Sequence, residues 1–226
     1  MRKFLYFLFI SLHQNKVVLE RKVKLIYIHD LKPHESVCPI RFYEMLKDIK
    51  SRGILDYPLI VEKNSYVILD GTHRYNVLKV LKADFVPCYL VDYKDVNLLT
   101  WVRRVSLDAN TILNILEKYG FRETFSNNYS FKIVYKNKTY NYRERGLRDD
   151  LLKLQNIIRD YIISYVPLDK FEESFSENYV YIVPKIPTKK EIINNALRNR
   201  LYPPKTTRHI VKEELPKINI SLNELK

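Results

Sequence analysis

The sequence contains very little glycine and cysteine. Of its 226 residues, four are glycine and two are cysteine. Cys38 and Cys88 lie far apart and form no recognised metal-binding spacing with the histidines, which excludes a zinc site of known pattern. Isolated thiols are typical of a cytoplasmic protein, in which cysteines stay reduced. We therefore expect a cytoplasmic protein in which both thiols are buried.

A glycine-rich phosphate loop is also absent. The chain has no Walker-type sequence, in which glycines and a lysine surround the phosphates of a nucleotide. Any nucleotide must therefore be recognised by another arrangement of residues. With so few glycines, the one at position 71, between an acid and a hydroxyl residue, stands out.

Long hydrophobic runs are absent as well. The apolar run at residues 4–12 follows a basic start and imitates a signal peptide, but no small-residue cleavage site follows it. The run is also too short to span a bilayer. We favour an N-terminal strand, or residues upstream of a later true start, over a secretory signal, and we expect no membrane partner.

The chain has an excess of positive charge. Lysine and arginine outnumber aspartate and glutamate by 39 to 26, giving a net charge of +13. With 46% hydrophobic and 29% charged residues, the composition excludes both a disordered chain and an integral membrane protein. A basic surface suits nucleic acid, an anionic membrane or phosphorylated small molecules. No lysine run is long enough to form a tail, so a charged soluble protein is favoured over DNA binding.

The hydrophobic pattern alternates between strand-like and helix-like segments. The first part of the chain predicts strands at 22–28, 59–62, 66–69 and 85–93, with helices at 39–53 and 73–81. The second part predicts a hairpin at 129–143, a strand at 178–186, and helices at 108–120, 147–165 and 188–200. The last helix opens on a capping box of Thr188 and Glu191. The pattern predicts an α+β fold.

The stretch "ILDGTHRYNVLKVLKA", residues 68–83, begins like a buried strand and ends like an amphipathic helix. Gly71 permits a tight turn and close approach of a ligand to the backbone. The helix start presents unpaired N–H groups to an anion, Thr72 can cap it, and Arg74 offers a planar fork to phosphate oxygens. His73 can donate or shuttle a proton, and Asp70 can hold Mg²⁺ or orient a hydroxyl. Taken alone, these residues are weak evidence for such a site, and a simple turn followed by a capped helix with exposed His73 and Arg74 explains them better.

Two further stretches favour phosphate chemistry. In "LKPHESV", residues 31–37, Glu35 stands just ahead of a helix and can accept a proton from a substrate hydroxyl. Helix-start electrostatics explain it equally well. In "YPPKTTRH", residues 202–209, two prolines stiffen the backbone before two cations, two hydroxyls and an imidazole. We interpret this second stretch as an anion-binding loop rather than a basic tail.

Together these stretches resemble a known family. "VILDGTHRYNVLKVL" is similar to the phosphate-binding strand–turn–helix of the ParB/sulfiredoxin-like fold. With "LKPHESV", "WVRR" at position 101 and "PPKTTRH", the chain resembles the archaeal free L-serine kinases over residues 22–210. The resemblance implies a ParB/sulfiredoxin-like phosphate-binding domain at residues 1–105. It also implies a smaller α+β C-terminal domain at 106–226, closing the cleft.

The resemblance implies an enzyme of amino-acid biosynthesis, in particular of cysteine, that makes O-phospho-L-serine from L-serine with ADP or ATP and Mg²⁺. It implies that Glu35 and His73 are catalytic and that Asp70 holds the metal. The serine site it implies consists of Glu35, Ser36, Val37 and Trp101. The nucleotide and phosphate site it implies consists of Asp70, Gly71, Thr72, His73, Arg74, Lys205, Thr206, Thr207, Arg208 and His209.

Other functions stay open at the level of sequence. Sulfiredoxins need a cysteine where this chain has Thr72, so sulfinic-acid reduction is disfavoured. A ParB-like, nucleotide-gated DNA-binding regulator is the second hypothesis, although the residues after the turn predict a hairpin and mixed helices rather than a helix-turn-helix. A module that senses a phosphorylated metabolite without turnover is the third. The choice of donor and the oligomeric state are not readable.

Overall fold

A computed structural model describes residues 22–226, so the apolar run at 4–12 and the predictions made for it lie outside the described residues. The helices are α1 Pro39–Arg52, α2 Thr72–Val80, α3 Ala109–Lys118, α4 Leu147–Ile158, α5 Phe171–Ser174 and α6 Lys189–Leu197. The first seven strands are β1 Val23–Tyr27, β2 Ile54–Leu55, β3 Leu59–Glu62, β4 Ile68–Asp70, β5 Phe85–Val91, β6 Asn97–Leu99 and β7 Trp101–Val105. The others are β8 Arg122–Glu123, β9 Phe131–Tyr135, β10 Lys138–Arg143, β11 Ile162–Pro167, β12 Val180–Pro184, β13 Arg208–Ile210 and β14 Ile220–Ser221. The predicted mixture of helices and strands is confirmed.

The first sheet has the strand order β1-β5-β3-β4. Strands β3 and β5 are parallel and are connected through α2, whereas the other pairs are antiparallel. All four residues of β3 are buried, because Leu59 and Val61 face a core shared with α1 and α2, while Ile60 faces a second core shared with α6. The three apolar residues fit a strand covered on both faces, and the buried carboxylate of Glu62 at its end accepts hydrogen bonds from the N–H groups of Asn64 and Ser65.

Helix α1 follows the sequence signals closely. Pro39 occupies the first helical turn, where its missing N–H is no loss. The helix ends at Gly53, which adopts a left-handed conformation with φ of 67° and donates its N–H to the carbonyl oxygen of Ile49. The predicted capping box of Thr188 and Glu191 at the start of α6 is also present.

The second sheet has six strands in the order β11-β7-β12-β9-β10-β8. Its core contains Ile112 and Leu116 from α3, Leu151 and Leu154 from α4, and Ile133 from β9. Strand β7, which begins at Trp101, lies in this sheet between β11 and β12. The chain therefore passes from the first sheet to the second between β5 and β7.

The end of the chain returns to the first half. Strand β13 pairs with β6, β14 pairs with β2, and Leu225 is buried in the core of the first sheet. The chain thus crosses between the two sheets more than once. The division into domains at residue 105 stays a prediction.

The predicted long helix at 147–165 is wrong in its second half. Helix α4 ends at Ile158, and after one turn of 3-10 helix at Arg159–Tyr161 the chain forms β11. The residues of β11 are rich in β-branched side chains, which favour a strand, and they pair antiparallel with β7. Between residues 22 and 226, no helix is long and apolar enough for a membrane crossing.

Candidate active site

Four segments surround a cleft of about 360 Å³. They are the loop before α1, the turn between β4 and α2, the start of β7, and the loop before β13. The first and last of these segments are joined by backbone hydrogen bonds, since the N–H of Ser36 donates to Tyr202 and the N–H of Tyr202 donates to His34. The predicted site residues that line the cleft are Glu35, Ser36, Asp70, Gly71, Thr72, His73, Arg74, Trp101, Lys205, Thr207, Arg208 and His209.

Gly71 forms the turn at the bottom of the cleft. It has a φ of 96°, and a Cβ atom there would lie 2.9 Å from Leu59 Cγ and 3.0 Å from a terminal guanidinium nitrogen of Arg74. Only glycine fits this position without displacement. Gly71 is also the N-cap of α2, which has no side-chain cap. The expectation that Thr72 caps the helix is therefore wrong, because Thr72 is already the first helical residue.

The side chain of Arg74 stabilises this turn through hydrogen bonds. Its guanidinium donates to Asp70 Oδ2 at 2.6 Å, to the carbonyl oxygen of Pro58 at 2.7 Å and to that of Tyr57 at 3.2 Å. Most of the donors that were expected to reach phosphate are thus engaged with the protein. The carboxylate of Asp70 is 57% exposed at the edge of the cleft.

His73 is held as an acceptor on one side. Its Nε2 accepts the N–H of Cys38 at 3.0 Å, so in the neutral ring Nδ1 carries the proton. Burial, followed by the nearby Arg41 cation, lowers the pKa of His73. His73 is therefore a neutral N–H donor at neutral pH. Cys38 itself is only partly buried, contrary to expectation, whereas Cys88 is fully buried.

The carboxylate of Glu35 accepts three hydrogen bonds from the loop before β13. Its Oε1 accepts the N–H and the hydroxyl of Thr207, both at 2.6 Å, and its Oε2 accepts the N–H of Lys205 at 3.0 Å. Burial raises the pKa of Glu35, but the hydrogen bond and charge of His34 and the donors of Thr207 outweigh it, so the pKa is lowered. Glu35 is a carboxylate at neutral pH.

Two cations lie against the only tryptophan. The Nζ atom of Lys205 is 3.7 Å from the centroid of the Trp101 ring, and the guanidinium carbon of Arg208 is 5.5 Å from it. Burial and the neighbouring Arg41 lower the pKa of Lys205. Lys205 also adopts a left-handed φ of 63°, which is uncommon outside glycine. Asp169 pairs with Arg208, but Arg41 and Lys205 repel each other on this side of the cleft, and an anion there would relieve that repulsion.

In the late loop, residues 202–209, the side chains of Thr206 and His209 are engaged with other protein groups. Thr206 is fully buried and its hydroxyl donates to the carbonyl oxygen of Pro203. His209 Nε2 is 2.7 Å from the hydroxyl of Tyr93, and burial lowers the pKa of His209 well below its usual value. Thr206 and Val37 lie outside the cleft lining, and the roles predicted for them stay predictions.

Known proteins resemble this chain along most of its length. A family model for the ParB N-terminal domain matches residues 11–105. An ATP-dependent L-serine kinase from Staphylothermus marinus is 31% identical over 89% of this chain and 90% of its own length. The chain belongs to the L-serine kinase family. An ADP-dependent L-serine kinase from Thermococcus kodakarensis is 26% identical over 91% of this chain and 94% of its own length.

The solved structures agree with this family on the fold. A free serine kinase, solved as a glutamate-to-alanine variant in complex with ADP, superimposes with a TM-score of 0.76 at 24% identity. The match covers 92% of this chain and 95% of the other. The predicted ParB/sulfiredoxin-like architecture is confirmed.

In this member of the serine kinase family, three basic residues lie near the cleft whose roles the sequence did not predict. Arg41, in the first turn of α1, and His34 line the cleft. Arg103 is buried behind it and donates to the carbonyl oxygens of Trp101 at 3.2 Å and Pro204 at 3.4 Å. No carboxylate among residues 22–226 forms an ion pair with Arg103. Its partner Pro204 is 101 positions away, so no local pattern could reveal this contact.

The fit of a metal ion depends on Asp70. Within the described part of the chain, no group of three or more histidine, cysteine, aspartate or glutamate side chains could enclose an ion. Asp70 offers one exposed carboxylate, of which one oxygen is shared with Arg74. Mg²⁺ is commonly bound by one or two carboxylates together with substrate phosphates and water. A single exposed carboxylate therefore fits only a magnesium ion whose other ligands are substrate phosphates and water.

Proposed function

We propose that this protein transfers a phosphoryl group from ADP or ATP to the hydroxyl of free L-serine, giving O-phospho-L-serine. Both curated relatives described above are L-serine kinases. The observation that carries the proposal is the carboxylate of Glu35, held at the cleft by the loop that also supplies Lys205 and Arg208. A base and several cations thus share one cleft, as phosphoryl transfer to an alcohol requires.

Glu35 takes the proton of the serine hydroxyl. A carboxylate has about four lone-pair sites, and three of them in Glu35 already accept hydrogen bonds. The open site belongs to Oε2, which has a single protein donor. In the transfer, the serine O–H bond breaks, its proton moves to Oε2, and the serine oxygen forms a bond to the phosphorus as the nucleotide oxygen leaves.

The cations and N–H donors neutralise the charge on the phosphoryl group. Lys205, Arg208 and Arg41 supply positive charge, His73 supplies an N–H, and the backbone around Gly71 approaches the phosphates closely. Such preorganised charge and positioning are the main protein contributions to phosphoryl transfer. Asp70 would hold the Mg²⁺ ion, which neutralises phosphate oxygens when bound.

We propose that serine lies against Trp101 with its hydroxyl toward Glu35. The indole ring supports this position because it lines the cleft and because Lys205, on one face of the ring, donates its backbone N–H to Glu35 Oε2. Ser36 would contribute through its carbonyl oxygen, since its N–H and its hydroxyl both donate to the carbonyl oxygen of Tyr202. Val37 would act by shaping the loop. A nucleotide substrate and two unpaired thiols support a cytoplasmic location.

The reaction can be tested directly by phosphorus NMR. The full-length protein is incubated with Mg²⁺, L-serine and either ATP or ADP, and the expected product is phosphoserine from at least one donor. Reactions without serine or with D-serine control for nucleotide hydrolysis. If neither donor yields phosphoserine while both are bound, the kinase assignment fails and a sensing module replaces it.

A ParB-like DNA-binding regulator is the second candidate, favoured by the ParB N-terminal domain match and the net charge of +13. Duplex binding to such a surface falls steeply with salt concentration. Fluorescence anisotropy with a labelled duplex, with and without ATP, tests this function. Absence of duplex binding at low salt removes it.

A further inference from the structure

His34, the histidine next to Glu35, is buried beside the cleft. Its side chain is 2% exposed. Its Nδ1 lies 2.6 Å from the carbonyl oxygen of Ile68, and its Nε2 lies 2.7 Å from Thr207 Oγ1. A carbonyl oxygen only accepts hydrogen bonds, so Nδ1 must carry a proton.

The hydroxyl of Thr207 has one proton but two close acceptors. Its Oγ1 lies 2.7 Å from His34 Nε2 and 2.6 Å from Glu35 Oε1. With a neutral imidazole and a carboxylate, one of these two contacts would bring lone pair against lone pair in a buried site. Such a contact is unfavourable by the full penalty of an unsatisfied buried group. One additional proton makes both contacts hydrogen bonds.

The carboxylate of Glu35 is the poorer place for that proton. It already accepts two backbone N–H groups, from Lys205 and Thr207, in addition to the hydroxyl, and donors of this kind stabilise the charged form. With the proton on Nε2, the chain of hydrogen bonds runs from Ile68 through His34 and Thr207 to Glu35 with every member satisfied.

We propose that His34 is an imidazolium in the resting enzyme and acts as a positioning residue that holds Glu35 as a carboxylate through the hydroxyl of Thr207. The ion pair is close, since Nε2 is 3.7 Å from Glu35 Oε1. The inference about catalysis rests on the proposed kinase function, whereas the proton count of His34 does not. During turnover the serine proton goes to Oε2 of Glu35 and the imidazolium keeps its own protons.

Other titratable groups surround this pair. The ring of His209 packs edge-on against that of His34 with 5.2 Å between centroids, and His209 is kept neutral by burial. Glu35 also interacts electrostatically with Lys205, His73, Arg103 and Tyr93. Of these neighbours, only Glu35 carries a negative charge at neutral pH, so it alone stabilises the imidazolium.

The proton count can be measured on the full-length protein without any substrate. Nitrogen-15 NMR of the imidazole rings is expected to give both ring nitrogens of His34 protonated at neutral pH, with slowly exchanging protons. A His34→Gln variant identifies the signals. A singly protonated, neutral His34 at neutral pH would overturn the proposal, whether or not the protein is a kinase.

The pH dependence of turnover tests the link to Glu35. In His34→Gln the amide can still donate to Thr207 but the charge is gone, so the pKa of Glu35 rises. Since activity needs the carboxylate, the acid limb of kcat is expected to move to higher pH by about 1–3 units, the usual effect of an opposite charge at this distance.

The matched control is His29→Gln, a histidine of the same N-terminal segment with an exposed side chain. Its acid limb is expected to coincide with that of the wild type. A folded His34→Gln variant with an unmoved acid limb would contradict the proposed role. Should that variant fail to fold, Thr207→Ser, which keeps the hydroxyl, is expected to keep the wild-type limb, and Thr207→Val is expected to shift it upward.

Discussion

Replacement of Glu35 by glutamine is the most informative single change in the site. The amide has the shape of the carboxylate but cannot take the serine proton. Loss of a general base of this kind reduces the rate by about 10²–10⁴-fold, which corresponds to about 3–5 kcal/mol of transition-state stabilisation. We expect kcat to fall by this factor, with a smaller change in the KM for nucleotide.

The hydrogen bonds of Glu35 predict how the amide is oriented and what it does to stability. An NH₂ group in place of Oε1 would face both donors of Thr207, whereas in place of Oε2 it faces only the N–H of Lys205. The second orientation loses fewer bonds. It leaves one buried donor without an acceptor, at about 1–3 kcal/mol. Because small proteins have about 5–15 kcal/mol of stability, the variant stays folded.

The sequence alone suggests Glu35→Ala as the test and expects it to leave folding intact. The structure changes this choice. Alanine would leave two backbone N–H groups and a hydroxyl of the late loop without their acceptor, so a loss of activity could come from loop disorder. Glutamine keeps at least two of these three hydrogen bonds and separates the chemical role from the structural one.

The assay is initial-rate formation of phosphoserine together with thermal unfolding of each variant. The matched control is Glu44→Gln, an exposed glutamate on the same helix that follows Glu35, which is expected to keep wild-type turnover. A kcat of Glu35→Gln within a few-fold of the wild type would refute the assignment of Glu35 as the base.

Three further predictions concern other parts of the cleft. In Gly71→Ala the residue has a left-handed φ of 96° and its new Cβ atom lies 2.9 Å from a leucine carbon, so the free energy of unfolding is expected to fall by about 2–4 kcal/mol in thermal unfolding. In Gly53→Ala, φ is 67° and nothing lies within 4 Å of the new atom, so the fall is only about 1–2 kcal/mol. If the two variants lose equal stability, steric crowding at position 71 is not the cause. Asp70→Asn is expected to raise the Mg²⁺ concentration for half-maximal rate, measured in a magnesium titration; an unchanged requirement would remove Asp70 as the metal-binding residue. Trp101→Leu is expected to raise the KM for serine with little change in that for nucleotide, and the reverse pattern would place the ring at the nucleotide.

The stability of the site should also depend on pH. Because the pKa of Glu35 is lower in the folded protein than in the unfolded chain, its contribution to stability is present above the unfolded value of about 4.3. That contribution is lost as the pH falls through the folded value. Glu35→Gln, which cannot titrate, is expected to lose less stability than the wild type between these two values.

Local patterns predicted most of the helices and strands. The apolar spacing of α1, with Pro39 at its start and Gly53 after its end, defines that helix almost to the residue. The predicted boundary failed where the chain changes from helix to strand after Ile158 without a glycine or proline. There the outcome depends on pairing with β7, which lies far away in the sequence.

The sequence by itself determined most of the residue types available for phosphate chemistry, although it did not reveal His34, Arg41 or Arg103. The turn at Gly71, the acid at position 35 and the cations of the late loop are all readable as residue types with phosphate chemistry. It could not determine how their hydrogen bonds are shared, because the partners of Glu35 stand 170 and 172 positions away. Only the tertiary structure directs the side chain of Arg74 to protein acceptors next to the turn. Only it places His34 and Thr207 beside Glu35. Hydrogen bonds act over a few ångströms, and only folding fixes which distant groups come that close.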